Sequence, residues 1–181
     1  MSGRGDLKLY AHRANVSGPG SGENRLDAVQ ECLRQGLGVE VDVWGEGDAL
    51  LVGHEPGGWR AARGALEHPL IMCHAKNLEA VRTLQARGAQ FFCLEQDAFA
   101  LCSNGLIWAN YGCAPSPSAI MCSPELVGAA ERPEAFLDRV AVAYGICTDY
   151  PLHYLKQLGG QTPRGNVADC RAWGLAPGDR R

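Results

Sequence analysis

The chain has 181 residues, 46% of them hydrophobic and 20% charged, which is enough for one domain with a sizeable core. A formal charge of −3 and the lack of a dense basic run argue against nucleic-acid binding. No apolar run approaches the roughly 18 residues of a membrane span, and no apolar h-region follows the first residues, so a cytoplasmic protein is expected. None of the eight cysteines forms a Cys-x-x-Cys pair, so a zinc site is not expected. Cys73, Cys93, Cys122 and Cys147 lie in apolar, strand-like runs and read as reduced, core-forming thiols.

In chain order, residues 8–12 read as a short strand ending in His12 and Arg13, followed by a loop rich in Gly, Ser, Asn and Pro. Residues 23–35 follow a helical period, with Leu26, Val29, Cys32 and Leu33 on one face and Gly36 as the stop. Residues 38–43 form the second strand and 50–54 a third, joined by a Gly-rich turn as a hairpin. Residues 57–67 read as partly helical. A strand over 69–75 ends in His74, Ala75 and Lys76. Asn77 then caps a helix whose apolar positions are Leu78, Val81 and Leu84 and whose stop is Gly88. Further strands are expected at 90–94, 106–109, 119–122 and 145–149. Pro133 opens a helix to residue 143, with Phe136, Leu137 and Val140 inward, and Leu152, Leu155 and Leu158 mark a closing helix.

The second strand carries Glu40 and Asp42 on one face and Val39, Val41 and Val43 on the other. Two carboxylates side by side either hold a divalent cation or form the wet face of an edge strand. Polar groups recur where strands end: His12 and Arg13, Asp42, His74 and Lys76, Glu95 and Asp97, Thr148 and Asp149. Alternating strands and helices with such a rim predict an α/β fold, a TIM-type (β/α) barrel. A complete barrel takes about 200 to 250 residues, so this one is trimmed, with residues 91–122 running strand to strand. Residues 1–158 read as the single domain and 159–181 as an irregular tail. The unpaired edge of a trimmed barrel offers a place for a homodimer contact. His68 and His153 read as surface residues, and Trp108 and Tyr111 as core.

Taken together, His12-Arg13, Glu23-Asn24, Glu40-Val41-Asp42 and His54, in that order and spacing, resemble the glycerophosphodiester phosphodiesterases, barrel enzymes related to phosphatidylinositol-specific phospholipase C. Thr148-Asp149-Tyr150-Pro151 is similar to the family's closing motif. The resemblance implies a metal-dependent hydrolase acting on a small, glycerophosphodiester-like substrate, with no nucleic acid and no membrane span. It implies Mg²⁺ or Ca²⁺, with Mn²⁺ as a further option, held by Glu40 and Asp42. His12 and His54 would form the acid–base pair, Arg13 and Lys76 would contact phosphate, and Glu23 and Asn24 would support the site. In this chain Ala14 stands where the family has Gly. His74 stands where the family has the Glu that completes the metal site, so His74 replaces it, or Glu95 or Asp97 does, or His74 is a third acid–base group. A lyase releasing a cyclic phosphate and a non-catalytic phosphate-binding module fit the same residues. A metal-assisted lyase of carbonyl substrates fits them less well.

Overall fold

The computed structural model describes residues 7–159, so the tail expected from 159 onward lies almost wholly outside the described residues. The elements are β1 (Lys8–Ala11), α1 (Leu26–Arg34), β2 (Gly38–Glu46), β3 (Ala49–Val52), β4 (Trp59–Arg60), β5 (Ile71–Ala75) and α2 (Leu78–Arg87). They continue with β6 (Phe91–Phe92), β7 (Phe99–Leu101), β8 (Ile107–Ala109), β9 (Ala119–Cys122), α3 (Pro133–Arg139), β10 (Gly145–Thr148) and α4 (Pro151–Gln157).

Seven strands run parallel in the order β6-β5-β2-β1-β10-β9-β8. The expected hairpin is present: β3 pairs antiparallel with the far end of β2, and β4 pairs with β3. At the other edge β7 pairs antiparallel with β8. The sheet is mixed α/β and strongly curled. Phe92 on β6 and Trp108 on β8, from opposite ends of the parallel array, stack with ring centroids 4.3 Å apart. No ladder joins β6 to β8 among the described residues; instead the turn after β7 bridges them. The Ser103 N–H donates to the Phe91 carbonyl (2.8 Å), and the Phe91 N–H donates to Ser103 Oγ (2.9 Å).

The period-two alternation of the strands sorts the core into two faces. Val39, Val41 and Val43 face outward with Val29 and Leu33 of α1 and Ala80 and Leu84 of α2. Tyr10, Met72, Phe92, Trp108, Ile120 and Cys147 fill the inside of the curl. Each such side chain, fully buried, contributes roughly 1.5–3 kcal/mol of transfer free energy. Gly38 leaves space for the inner layer: a Cβ there would lie 2.6 Å from the Tyr10 ring.

Asn77 caps α2 as expected, accepting from the Ala80 N–H (2.9 Å), and Gly88 ends the helix in the left-handed region. The same Asn77 amide also accepts from the Gly45 N–H and donates to the Gly45 carbonyl, both at 2.9 Å, tying α2 to β2.

Several expectations need correction. Residues 57–67 hold no helix, only β4 and turns, because Trp59 and Arg60 pair with β3. Leu78 is exposed at the first turn of α2, where Ala80 and Leu84 face the sheet. The third helix stops at Arg139, four residues early, as Val140 and Ala143 close a turn. Cys93 lies past the end of β6 and is exposed, while Cys73, Cys122 and Cys147 are buried as expected. Strand β7 was not anticipated, since its Phe99 and Leu101 point to solvent. Trp108 is buried core, and the stretch between β6 and β9 contains no helix, as expected.

Candidate active site

At the carboxyl ends of β1, β2, β5 and β10 the inner face becomes polar. Glu40 and Asp42, buried to 2% and 1% exposure, follow Gly38 along the inner face of β2. The β2–β5 register places Asp42 beside His74. One ligand atom from each of Glu40, Asp42 and His74 lies within 4.8 Å of the others. His74 Nδ1 is 3.2 Å from Asp42 Oδ1 and 3.9 Å from Glu40 Oε1. Glu95 and Asp97 are exposed and contribute nothing to this group.

The loop after β1 is shaped to reach the two carboxylates. His12–Ala14 forms a short 3-10 turn in which Arg13 (φ 51°) and Ala14 (φ 62°) are left-handed. Non-glycine residues rarely adopt this conformation, and its clustering at a site is a recognised mark of function. It aims the Arg13 N–H at Glu40 Oε2 (3.0 Å). Ala14 holds this left-handed conformation at a steric cost that a glycine would not carry. Asn24 is left-handed too (φ 56°), with its N–H donating to the Arg13 carbonyl at 2.8 Å. This is why α1 begins at Leu26 rather than at Glu23: Glu23 and Asn24 belong to the site.

Asn24 holds Asp42 from two sides, donating from Nδ2 to Asp42 Oδ2 (3.1 Å) and accepting the Asp42 N–H (3.0 Å). Trp59, within the stretch misread as helical, donates its indole N–H to the Asn24 carbonyl (2.5 Å). Glu23 does not join the three-ligand group. It accepts from Arg13 Nη1 (3.3 Å) and from Asn15 Nδ2 (3.1 Å). Arg13 Nε lies 3.0 Å from Asp42 Oδ2, an ion pair whose angle does not make a hydrogen bond. Lys76 Nζ lies 3.5 Å from Asp42 Oδ1, so both expected phosphate contacts converge on one carboxylate.

His12 and His54 stand on either flank. His54, half exposed, places Nδ1 3.4 Å from Asp42 Oδ2 and Nε2 3.6 Å from Glu55 Oε1. His12 Nδ1 is 2.8 Å from Asp149 Oδ1, which also accepts from Asn15 Nδ2 at 2.8 Å. Asp149 is one of the strand-end polar groups, whereas Glu125 was not among the expected site residues. A Glu125 carboxylate oxygen accepts from the Thr148 hydroxyl and from the Asp149 N–H (3.2 Å). Asn15 and Glu125 carried no sequence signal, whereas Asp149 lay within the Thr-Asp-x-Pro motif.

The electrostatics divide the carboxylates. Burial pushes the Glu40 carboxyl above its usual range, and neighbouring Asp42 adds to the rise. Burial acts in the same sense on Asp42, but the His74 hydrogen bond, Arg13, Asn24 and Lys76 outweigh it and hold Asp42 low. Burial disfavours His12 imidazolium, yet the Asp149 hydrogen bond and the Glu40 charge raise its pKa overall. Asp149 is correspondingly lowered, its own burial opposing and His12 and Asn15 prevailing.

The donor set suits a divalent cation: two buried carboxylates and an imidazole nitrogen converge, and among the described residues Glu40 accepts a hydrogen bond from the Arg13 N–H alone. Beside this group a cleft of roughly 440 Å³ is lined by His74 and Lys76 together with Trp44, Leu78, Val81 and Leu94. No helix among the described residues is long and apolar enough to cross a membrane.

No protein-family model matches the chain, and neither does any curated protein. Among solved structures it is similar to a glycerophosphodiester phosphodiesterase from Parabacteroides distasonis ATCC 8503, with a TM-score of 0.55 and 15% identity, covering 86% of this chain and 98% of that one. At that identity the likeness is one of fold: the curled, mixed α/β sheet of this chain is an architecture it shares with a phosphodiesterase.

Proposed function

We propose that the chain is a metal-dependent phosphoric diester hydrolase acting on a small, glycerophosphodiester-like substrate. The observation that carries this reading is the convergence of Glu40, Asp42 and His74 between two further imidazoles, His12 and His54, at the carboxyl ends of the strands. The fold likeness to a phosphodiesterase supports it.

Glu40, Asp42 and His74 would hold the cation, which when bound supplies positive charge against a non-bridging phosphoryl oxygen. Arg13 and Lys76 would add cationic contacts to the phosphate once substrate competes for them with Asp42. His12 donates Nδ1–H to Asp149, which leaves Nε2 as its lone-pair nitrogen and suits it to be the general base. Its Nε2 takes the proton of the attacking water as the new P–O bond forms. The P–O bond to the alcohol breaks, and His54 delivers a proton to the departing alkoxide. The adjoining cleft gives the alcohol portion a partly apolar surface to occupy.

Hydrolysis of bis(p-nitrophenyl) phosphate and of glycerophosphodiesters, with and without Mg²⁺, Ca²⁺ or Mn²⁺, tests the proposal. Wild type should turn over only with a divalent ion, and His12→Ala and His54→Ala should each lose about 10²-fold or more. Equal rates in wild type and His12→Ala would sink it. Phosphorus NMR of the product distinguishes a monoester from the cyclic phosphate of a lyase.

A further inference from the structure

The third ligand position is built as a nitrogen site. His74 Nε2 lies 2.9 Å from the Leu94 carbonyl, an acceptor with no proton to give, so Nε2 must carry the hydrogen. In the neutral ring the lone pair then sits on Nδ1, the atom turned toward Asp42 and Glu40. The ring plane is held as well. His74 stacks on Phe92 at 4.7 Å between centroids and 8° between planes, and Phe92 stacks in turn on Trp108 at 4.3 Å and 12°. A three-ring column inside the curl therefore fixes the plane of the imidazole, and a backbone carbonyl fixes its tautomer. Outer partners of this kind orient a metal-binding histidine.

Resting on the metal-dependent reading above, we infer that this site selects a first-row transition-metal dication, of the Mn²⁺, Fe²⁺ or Co²⁺ type, over Ca²⁺. Calcium takes six to eight oxygen ligands and gains little from a nitrogen donor, whereas imidazole suits the transition metals. The pair of carboxylates, with one rigid nitrogen in place of a third carboxylate, shifts the balance away from the hard ion.

Calorimetric titration of the full chain with Mn²⁺, Co²⁺ and Ca²⁺ tests the inference without reference to turnover. Co²⁺ and Mn²⁺ should bind about tenfold or more tightly than Ca²⁺. Electron spin-echo modulation of bound Mn²⁺ should show coupling to an imidazole nitrogen. His74→Glu should abolish that coupling and reverse the preference toward Ca²⁺. Phe92→Leu keeps all three ligands but frees the ring, and should weaken Co²⁺ binding about tenfold, with little change for Ca²⁺. This second variant and the wild-type spin-echo signal keep the test decisive where His74→Glu does not fold. Equal or tighter Ca²⁺ binding, or bound Mn²⁺ without nitrogen coupling, overturns the inference and leaves the phosphodiesterase reading standing. No divalent binding at all overturns both.

Discussion

His12 and Asp149, 137 residues apart in sequence, meet through a 2.8 Å contact between Nδ1 and Oδ1 because β1 and β10 are parallel neighbours. Each strand delivers the residue just past its end to the same rim. The carboxylate fixes the imidazole tautomer and raises its pKa against the effect of burial.

Asp149→Asn should therefore lower the pKa of His12, measurable by proton NMR of the ring. The signs follow from the two shifts. His12 is raised from 6.5, so its contribution to stability is complete below 6.5 and is lost as pH rises through its folded pKa. Asp149 is lowered from 3.8, so its contribution is complete above 3.8 and is lost as pH falls through its folded pKa. The variant should lose most stability between these limits, about 1–2 kcal/mol near pH 5, and less at a pH well above the raised His12 pKa. Urea unfolding at the two pH values checks this, and an equal loss at both would contradict it.

Glu40→Gln should separate stability from function. Burial at Glu40 outweighs the Arg13 N–H and the His12 and His74 imidazoles beside it, so a neutral amide of the same shape should leave the metal-free protein as stable or up to about 1 kcal/mol more stable. On the metal-dependent proposal Mn²⁺ should raise the melting temperature of the wild type, and the variant should show no such rise. Thermal melts with and without the ion read both effects.

Asn77→Ala should cost about 2 kcal/mol or more. It removes the N-cap of α2 and both hydrogen bonds to Gly45. Asn77→Asp should recover part of the loss, since it keeps the cap acceptor but not the donor to the Gly45 carbonyl. Denaturant melts of the three proteins would order them wild type, Asp, Ala.

Ala14→Gly should change stability by less than about 1 kcal/mol. Relief of left-handed strain, worth about 1 kcal/mol, is offset by the loss of a buried methyl worth about 0.8. Ala14→Val should lose 2 kcal/mol or more, on the order expected for a β-branched side chain forced to positive φ at a buried position. A well-folded Ala14→Val of wild-type stability would refute this account of the turn.

Much of the architecture could be read directly from the chain. The Gly38–Glu46 strand, the hairpin to Ala49–Val52, the Asn77 cap and the Gly88 stop are local signals, set by a period of two or by the chemistry of one residue. Misreadings fell where local signals are weak. Residues 57–67 have no clean period, and the exposed Phe99 and Leu101 look nothing like a strand seeking a core.

The candidate site divides along the same line. Alternation on β2 was enough to place Glu40 and Asp42 together on one face, and the order of His12, Glu23, Asn24 and His54 carried the resemblance to the phosphodiesterases. Side-chain direction along a strand depends only on neighbouring backbone, so it survives in the bare sequence. The tertiary structure decided the rest. The β2–β5 register brings His74 to Asp42, the curl of the sheet stacks His74 on Phe92 and Trp108, and Leu94 sets which nitrogen faces the carboxylates. Those contacts depend on which strands become neighbours and how far the sheet bends. No local pattern encodes either, because both are settled by packing across the whole inner core.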